Sequence, residues 1–460
     1  MPLLIKNGEI ITADSRRHAD IYCEAETITR IGPGLEAPPG AEVVDAAGKY
    51  VFPGFIDPHV HITLPFMGTS AKDTYETGSK AALVGGTTTL IEMCCPSRAE
   101  DALAGFEHWL AQAEGRSACD FTFHMGATRF DERTESELRE IVRRGLSSFK
   151  IFLAYKGAFG IDDTELYRVL KLARELGVIV TAHCENETLI FERQKELIAA
   201  GVTGPAGHHE SRPPVVEAEG VHHLMSFAEQ TGAHTYIVHL SCQQALAEAV
   251  AARRRGVNVA IETLIQYLVL DKSYAERPDF EGAKYVMSPP LRDASNQDAL
   301  WAGLKDGVIQ TVATDHAPFD FVGQKHMGVN DFTKIPNGIP SLEERINLLY
   351  TYGVKAGRID LHTLVNAAST QVAKLFDLYP RKGCIQPGAD ADLVVFDPGY
   401  RGVLSARTQH INVDYNAFEG WKIEGRPSAV TVRGRLAARD GAFVGDPTRG
   451  RFLKRTPSRA

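Results

Sequence analysis

The residues able to do chemistry in this chain stand at the ends of apolar runs. Gly54-Phe55-Ile56-Asp57-Pro58-His59-Val60-His61 opens the series. Val51, Phe52, Phe55 and Ile56 read as a strand, and period-two alternation sends His59 and His61 to one face. Two imidazoles leaving a strand together can chelate a divalent cation. The same placement recurs in Ser148-Phe149-Lys150-Ile151-Phe152, Val180-Thr181-Ala182-His183, Ile237-Val238-His239-Leu240 and Val312-Ala313-Thr314-Asp315. A charged or imidazole group in such a setting must be paired or metal-bound to offset its desolvation. Taken singly, each would be a hydrogen-bonded core histidine or a salt-bridged lysine. Five strand ends meeting at one mouth read as a metal site.

Lys150 is the unusual member, because a protonated amine cannot ligate a cation. Burial beside positive charge drives it toward the neutral form. A neutral amine can capture carbon dioxide to give a carbamate, whose two oxygens can bridge two metals. Four imidazoles, one aspartate and one carbamate would then hold two divalent ions. Histidine and carboxylate ligands suit zinc, with manganese, cobalt and iron also compatible. His316 adjoins Asp315 but alternates to the other face, so packing behind the site is expected. His108, His208, His209, His222, His223, His326, His362 and His410 lie in polar or helix-like stretches and are expected to be solvated.

Eight apolar runs can position these residues: Phe55–His61, Thr87–Met93, Asp120–Gly126, Ser147–Leu153, Val178–Cys184, Tyr236–Cys242, Asn258–Thr263 and Thr311–Ala317. Helix-like stretches such as Thr164–Ala173 separate most of them. Eight alternating units over roughly 250 residues predict a TIM (β/α)8 barrel, whose active site lies at the C-terminal ends of its strands. An open doubly wound sheet would favour a glycine-rich phosphate turn after the first strand, where this chain has His59 and His61. Residues 1–52 are short alternating segments broken by Gly and Pro, and the same texture returns in 381–460. The two ends are expected to form one small β-sandwich around a barrel domain spanning 53–380.

The 460 residues carry 44% hydrophobic side chains and a net charge of −8 without a basic block, which argues against nucleic acid or membrane as a partner. The seven cysteines form no CxxC pair. With no signal-like start, they fit a reducing cytoplasm.

Together, Gly-x-x-Asp-x-His-x-His, the lysine of Ser-Phe-Lys-Ile-Phe-Leu-Ala-Tyr, His-Cys-Glu-Asn, Val-His-Leu-Ser and Thr-Asp-His-Ala-Pro-Phe resemble the cyclic amidohydrolases, most closely the D-hydantoinase/dihydropyrimidinase branch. The resemblance covers essentially the whole chain. It implies that His59, His61 and Asp315 hold the more buried of two metals and His183 and His239 the other, with carbamylated Lys150 between. It also implies that Tyr155 donates to a developing oxyanion, that Asp315 moves the proton, and that Ser288 and Asn337 hold the substrate's amide edges through backbone groups. The implied reaction is hydrolysis of a small neutral cyclic amide, a 5-substituted hydantoin or dihydropyrimidine, to an N-carbamoyl amino acid, in a homotetramer. Relatives often carry cysteine where this chain has Ala317, which alters the pocket beside Asp315 without removing a ligand.

Three neighbouring readings are weighed against this one. Dihydroorotase-like enzymes typically place an arginine two residues beyond the paired histidines, and this chain has Thr63 there. Allantoinase is opposed by the apolar residues Leu64, Phe66, Met67, Phe152 and Phe159, which fit an alkyl or aryl side group better than a ureido group. A non-catalytic scaffold of the same fold would lack the ligand set, which is complete here.

Overall fold

The computed structural model describes residues 2–458. Eight parallel strands lie side by side in sequence order: β1 (Phe55–Val60), β2 (Thr87–Cys94), β3 (Asp120–Gly126), β4 (Ser148–Phe152), β5 (Ile179–His183), β6 (Thr235–Ile237), β7 (Val259–Leu264) and β8 (Thr311–Ala313). Every residue of the eight is buried, as expected where helices cover one face of a parallel sheet and a packed interior the other. The ends meet through a parallel bridge between Val60 and His316, with the His61 amide donating to the His316 carbonyl at 2.8 Å. This is a TIM-type barrel, and its seam closes beside the paired histidines.

The connecting helices follow local rules. The helix Asp163–Leu176, after β4, starts at Asp162, whose carboxylate accepts the Glu165 amide while Glu165 reaches back to the Asp162 amide. Leu166, Val169, Leu170 and Ala173 form its buried stripe, and Gly177 stops it in the left-handed region at φ 66°.

Two further sheets use both ends of the chain. One pairs Thr27–Gly32, Asp20–Glu24, Leu3–Lys6 and Glu42–Asp45. The other is seven-stranded and mixed, with Leu393–Val403 antiparallel to Tyr50–Pro53, so N- and C-terminal segments share one ladder. Leu3, Ile5 and Ile21 from the first sheet pack with Ile10, Val51 and Leu393 from the second, which makes the expected sandwich. Beyond it, residues 450–455 run under the barrel. The Phe121 amide donates to the Arg451 carbonyl at 3.0 Å and the Leu453 amide to the Phe121 carbonyl at 2.8 Å. Leu453 is fully buried in the cluster that includes Ile56 and Ile91, so this segment forms the floor of the barrel interior.

Two strands are shorter than their apolar runs. β6 stops at Ile237 and β8 at Ala313, where Tyr236–Cys242 and Thr311–Ala317 were expected. The backbone leaves the sheet there: His239 has φ 42° and Asp315 φ 47°. No helix among the described residues is long and apolar enough to cross a membrane.

Candidate active site

The mouth of the barrel brings His59, His61, Lys150, His183, His239 and Asp315 to one cavity. Asp315 Oδ1 lies 3.1 Å from His59 Nε2 and 3.0 Å from His61 Nε2. His183 Nδ1 and His239 Nε2 face each other at 2.9 Å. The His59 ring centroid lies 5.3 Å from those of both His61 and His239, which links the two groups. Lys150 is fully buried, and its Nζ has no hydrogen-bond partner.

Buried carboxylates set the imidazoles. Glu262, on β7, accepts from His59 Nδ1 at 2.8 Å, which fixes the ring with Nε2 turned toward Asp315. The same oxygen accepts the His239 amide at 2.9 Å, and its mate accepts the Tyr236 hydroxyl at 2.8 Å. Glu185 accepts His183 Nε2 at 2.9 Å and Arg212 Nη1 at 2.6 Å, leaving His183 Nδ1 as an acceptor. Asp57 accepts the His59 amide at 3.2 Å and the Thr314 hydroxyl at 2.7 Å, tying β1 to the residue before Asp315. Glu92 accepts the Ile62 amide at 2.8 Å just beyond the paired histidines.

These partners were not singled out from sequence. Glu92 and Glu262 carried a signal, since each is a charged residue inside an apolar strand. Glu185 and Arg212 carried none, because their pairing spans loops. His316 sits behind the site as expected, with Nε2 2.8 Å from Asp73. His208 corrects the expectation of solvation: it is buried, and its Nε2 donates to the Met287 carbonyl at 2.8 Å. The polar stretch around it packs under the loop that carries Ser288.

The remaining expected residues line the cavity. Asn337 Nδ2 donates to Ser288 Oγ at 3.0 Å, joining two loops. Tyr155, at φ 62°, places its ring 5.3 Å from that of His183 and under the Arg212 guanidinium at 5.8 Å. Burial raises its phenol pKa, against the pull of Arg212, and keeps the hydroxyl a donor. Leu64, Phe66, Phe152 and Phe159 form the apolar wall, with Phe66 stacked on Phe159 at 6.3 Å. Phe66 is presented by a tight hairpin, Pro65–Phe66 against Thr69–Ser70, whose turn residues Met67 and Gly68 both have positive φ, as a two-residue turn requires. Ala317 also borders the cavity.

Three of the four imidazoles are held toward the neutral, ligating form; at His59 burial lowers the pKa, but Asp315 and Glu262 outweigh it and raise it. Burial lowers the pKa of His183, takes His239 well below its ordinary value and pulls His61 down to about 4. Burial also lowers Lys150, partly opposed by Asp315. Burial would raise Asp315, but the neighbouring His59 and His61 hold it well below the usual carboxylate range. Two ring nitrogens at 2.9 Å need a proton or a cation between them, and His59 Nε2, beside Asp315 at 3.1 Å, and Lys150 Nζ are buried without a hydrogen bond. His59, His61 and Asp315 offer three ligand atoms within 4.8 Å of one another. The donor set fits divalent ions.

Comparison with known proteins agrees in extent. The amidohydrolase family profile matches residues 50–437. A D-hydantoinase of Geobacillus stearothermophilus is 47% identical over 99% of this chain and 97% of its own length. One from Ralstonia pickettii is 41% identical over 99% of both. The solved structure of a D-hydantoinase (dihydropyrimidinase) from Thermus sp. is 64% identical and superposes over 100% of both chains with a TM-score of 0.98.

The depressed histidines make the metal-free protein acid-sensitive. His61 has a folded pKa of about 4, below its unfolded value near ~6.5, so the unfolded chain takes up the proton first as pH falls. The stabilisation is present above that unfolded value and lost toward the folded one. For His61 alone it amounts to about 3 kcal/mol. The midpoint of thermal unfolding of chelator-treated protein should therefore fall across this window, and a flat midpoint would contradict the burial of neutral imidazoles.

Proposed function

The chain belongs to the amidohydrolase family, and from that premise we propose that it opens the ring amide of 5-substituted hydantoins and dihydropyrimidines to give N-carbamoyl amino acids. The observation that supports this best is the meeting of six ligand-type residues beside an apolar wall in one cavity. His59, His61 and Asp315 would hold one divalent ion, and His183 and His239 a second. Lys150 would lie between them after its neutral amine adds to carbon dioxide, forming an N–C bond and releasing a proton. Zinc suits this donor set, and manganese, cobalt or iron could replace it. When bound, such a pair supplies a water of lowered pKa and polarises the carbonyl under attack.

The chain's own groups do the rest. Asp315 takes the proton of the attacking water and delivers it to the leaving ring nitrogen. The Tyr155 hydroxyl donates to the carbonyl oxygen as charge develops there. Ser288 and Asn337 hold the amide edges of the ring through their backbone groups. Leu64, Phe66, Phe152 and Phe159 accept the exocyclic substituent and exclude water around it. Thr63, whose backbone is left-handed at φ 59°, offers no cation for an acidic ring substituent. The enzyme would act in the cytoplasm as a homotetramer, in which another copy covers the exposed Leu189, Phe191 and Ile198 of helix Glu187–Ala199.

Three measurements test this. In a panel of hydantoin, phenylhydantoin, dihydrouracil, allantoin and dihydroorotate, the neutral hydantoins and dihydrouracil should have the highest kcat/KM. A preference for dihydroorotate or allantoin would sink the assignment.

Lys150→Ala should lose metal and nearly all turnover, with partial recovery on adding a short carboxylic acid. A variant that kept two metals and a near-normal rate without additive would rule out the carbamate.

Tyr155→Phe should lower kcat by roughly 10²–10³-fold, about 3–4 kcal/mol, with metal content unchanged. Wild-type kcat in the fully metallated variant would remove Tyr155 from the mechanism.

A further inference from the structure

Lys325 is a buried amine without a carboxylate: burial draws its pKa well below the ordinary lysine value, yet three carbonyl oxygens at hydrogen-bond distance call for the protonated form with its three donors. It is fully shielded from solvent, and no acidic side chain among the described residues pairs with it. Its Nζ instead donates to three main-chain carbonyls: Val286 at 2.9 Å, Pro336 at 2.6 Å and Gly338 at 2.8 Å. An ammonium has three donor hydrogens, so the set is saturated. The ring of Phe319 packs beneath it, with its centroid 5.8 Å from Nζ.

The three carbonyls belong to the two loops that reach the cavity. Val286 precedes Ser288 by two residues, and Pro336 and Gly338 flank Asn337. The Gly338 amide donates to the Val286 carbonyl at 2.9 Å, and Asn337 Nδ2 to Ser288 Oγ at 3.0 Å, so the loops are stitched together directly above the ammonium. Between the Pro336 and Gly338 carbonyls stands one that the ammonium does not hold. Here that intervening group is the Asn337 carbonyl. Among the described residues no donor reaches it, and none reaches the Ser288 carbonyl. Both residues border the cavity. Gly338 itself must be glycine: a Cβ would meet the Ala317 carbonyl at 2.2 Å, at φ 152°. The loop is thereby pressed against the segment just after Asp315.

We infer that Lys325 is a positioning residue for substrate binding, an ammonium clip that draws three carbonyls inward so that the backbone groups of Ser288 and Asn337 are presented to the ring amides of the substrate. The inference rests on the roles given to those two residues above. Lys325 touches neither the cavity nor the proposed metal ligands. Its loss should therefore weaken a contact made equally in ground and transition states, which falls on KM rather than on kcat.

The test uses the metal-loaded enzyme with Lys325→Met and Lys325→Gln, assayed on dihydrouracil and phenylhydantoin beside the parent. KM should rise about tenfold or more, the scale of one lost hydrogen-bonding arrangement, while kcat per metallated site stays within about threefold. Metal content and far-ultraviolet circular dichroism should match the parent. In Lys325→Ala, added propylammonium should bring KM back toward the parent value, whereas tetramethylammonium, which has no N–H, should not. An unchanged KM in an active, folded variant overturns the inference alone. Loss of metal or of fold in both Lys325→Met and Lys325→Gln also overturns it, because Lys325 would then be a general structural cation. A parent enzyme that opens neither ring overturns the functional reading itself and the inference with it.

Discussion

One oxygen of Glu262 holds the site together. It accepts the His59 ring from β1 and the His239 amide just beyond β6, so two distant parts of the barrel are registered on one atom. A carboxylate with no exposed surface stays in a protein only when its acceptors are filled. The Tyr236 hydroxyl fills the other oxygen. The arrangement converts a desolvation cost into geometry, because moving either histidine would strand a buried charge. Glu185 does the same for His183, with Arg212 supplying its countercharge; burial would raise the Glu185 pKa, and Arg212 and His183 hold it down to about 2. Asp57 secures the β1–β8 seam from below, where Arg345 donates to the Ile56 carbonyl at 2.9 Å and the Val312 carbonyl at 3.0 Å.

The chemistry and the selectivity sit on different kinds of structure. The ligand-type residues leave buried strands or the first residues after them, where neighbours fix the side chains from all sides. Much of the apolar wall stands outside the strands, Phe66 on a two-residue hairpin and Phe159 on the segment after β4, while Phe152 ends β4 itself. Three site residues, Tyr155, His239 and Asp315, hold left-handed backbone, which costs free energy for residues with side chains and persists because the surroundings over-determine it. In His239 and Asp315 the flip is what turns a strand end into the cavity.

Much of this was legible in the sequence because burial on both faces of a parallel sheet leaves continuous apolar runs, against which a terminal histidine, lysine or aspartate stands out. The eight strands and the six converging residues are legible that way, and the sandwich from the short alternating segments at both ends. The same rule overextended β6 and β8, since hydrophobicity continues past the point where the backbone turns. It undervalued Glu92 and Glu262, charged residues inside apolar runs that hold the site from behind without lining the cavity. The polar neighbours of His208 suggest solvation, yet it caps the Met287 carbonyl, 79 positions away. Lys325 lies in an unremarkable polar stretch, and only the folded chain brings three carbonyls around it.

The floor of the barrel has a consequence for how the chain is made. Leu453 is part of the same packed interior as Ile56 and Ile91, and residues 450–455 pair with the start of β3. Likewise Tyr50–Pro53, made early, waits for Leu393–Val403 to complete its ladder. During synthesis the eight strands therefore emerge long before the segments that close them, and the nascent barrel presents an open apolar end and an unpaired strand edge to the cell. Such surfaces invite association with other chains. This architecture ties production of the folded protein to protection of a late-closing intermediate.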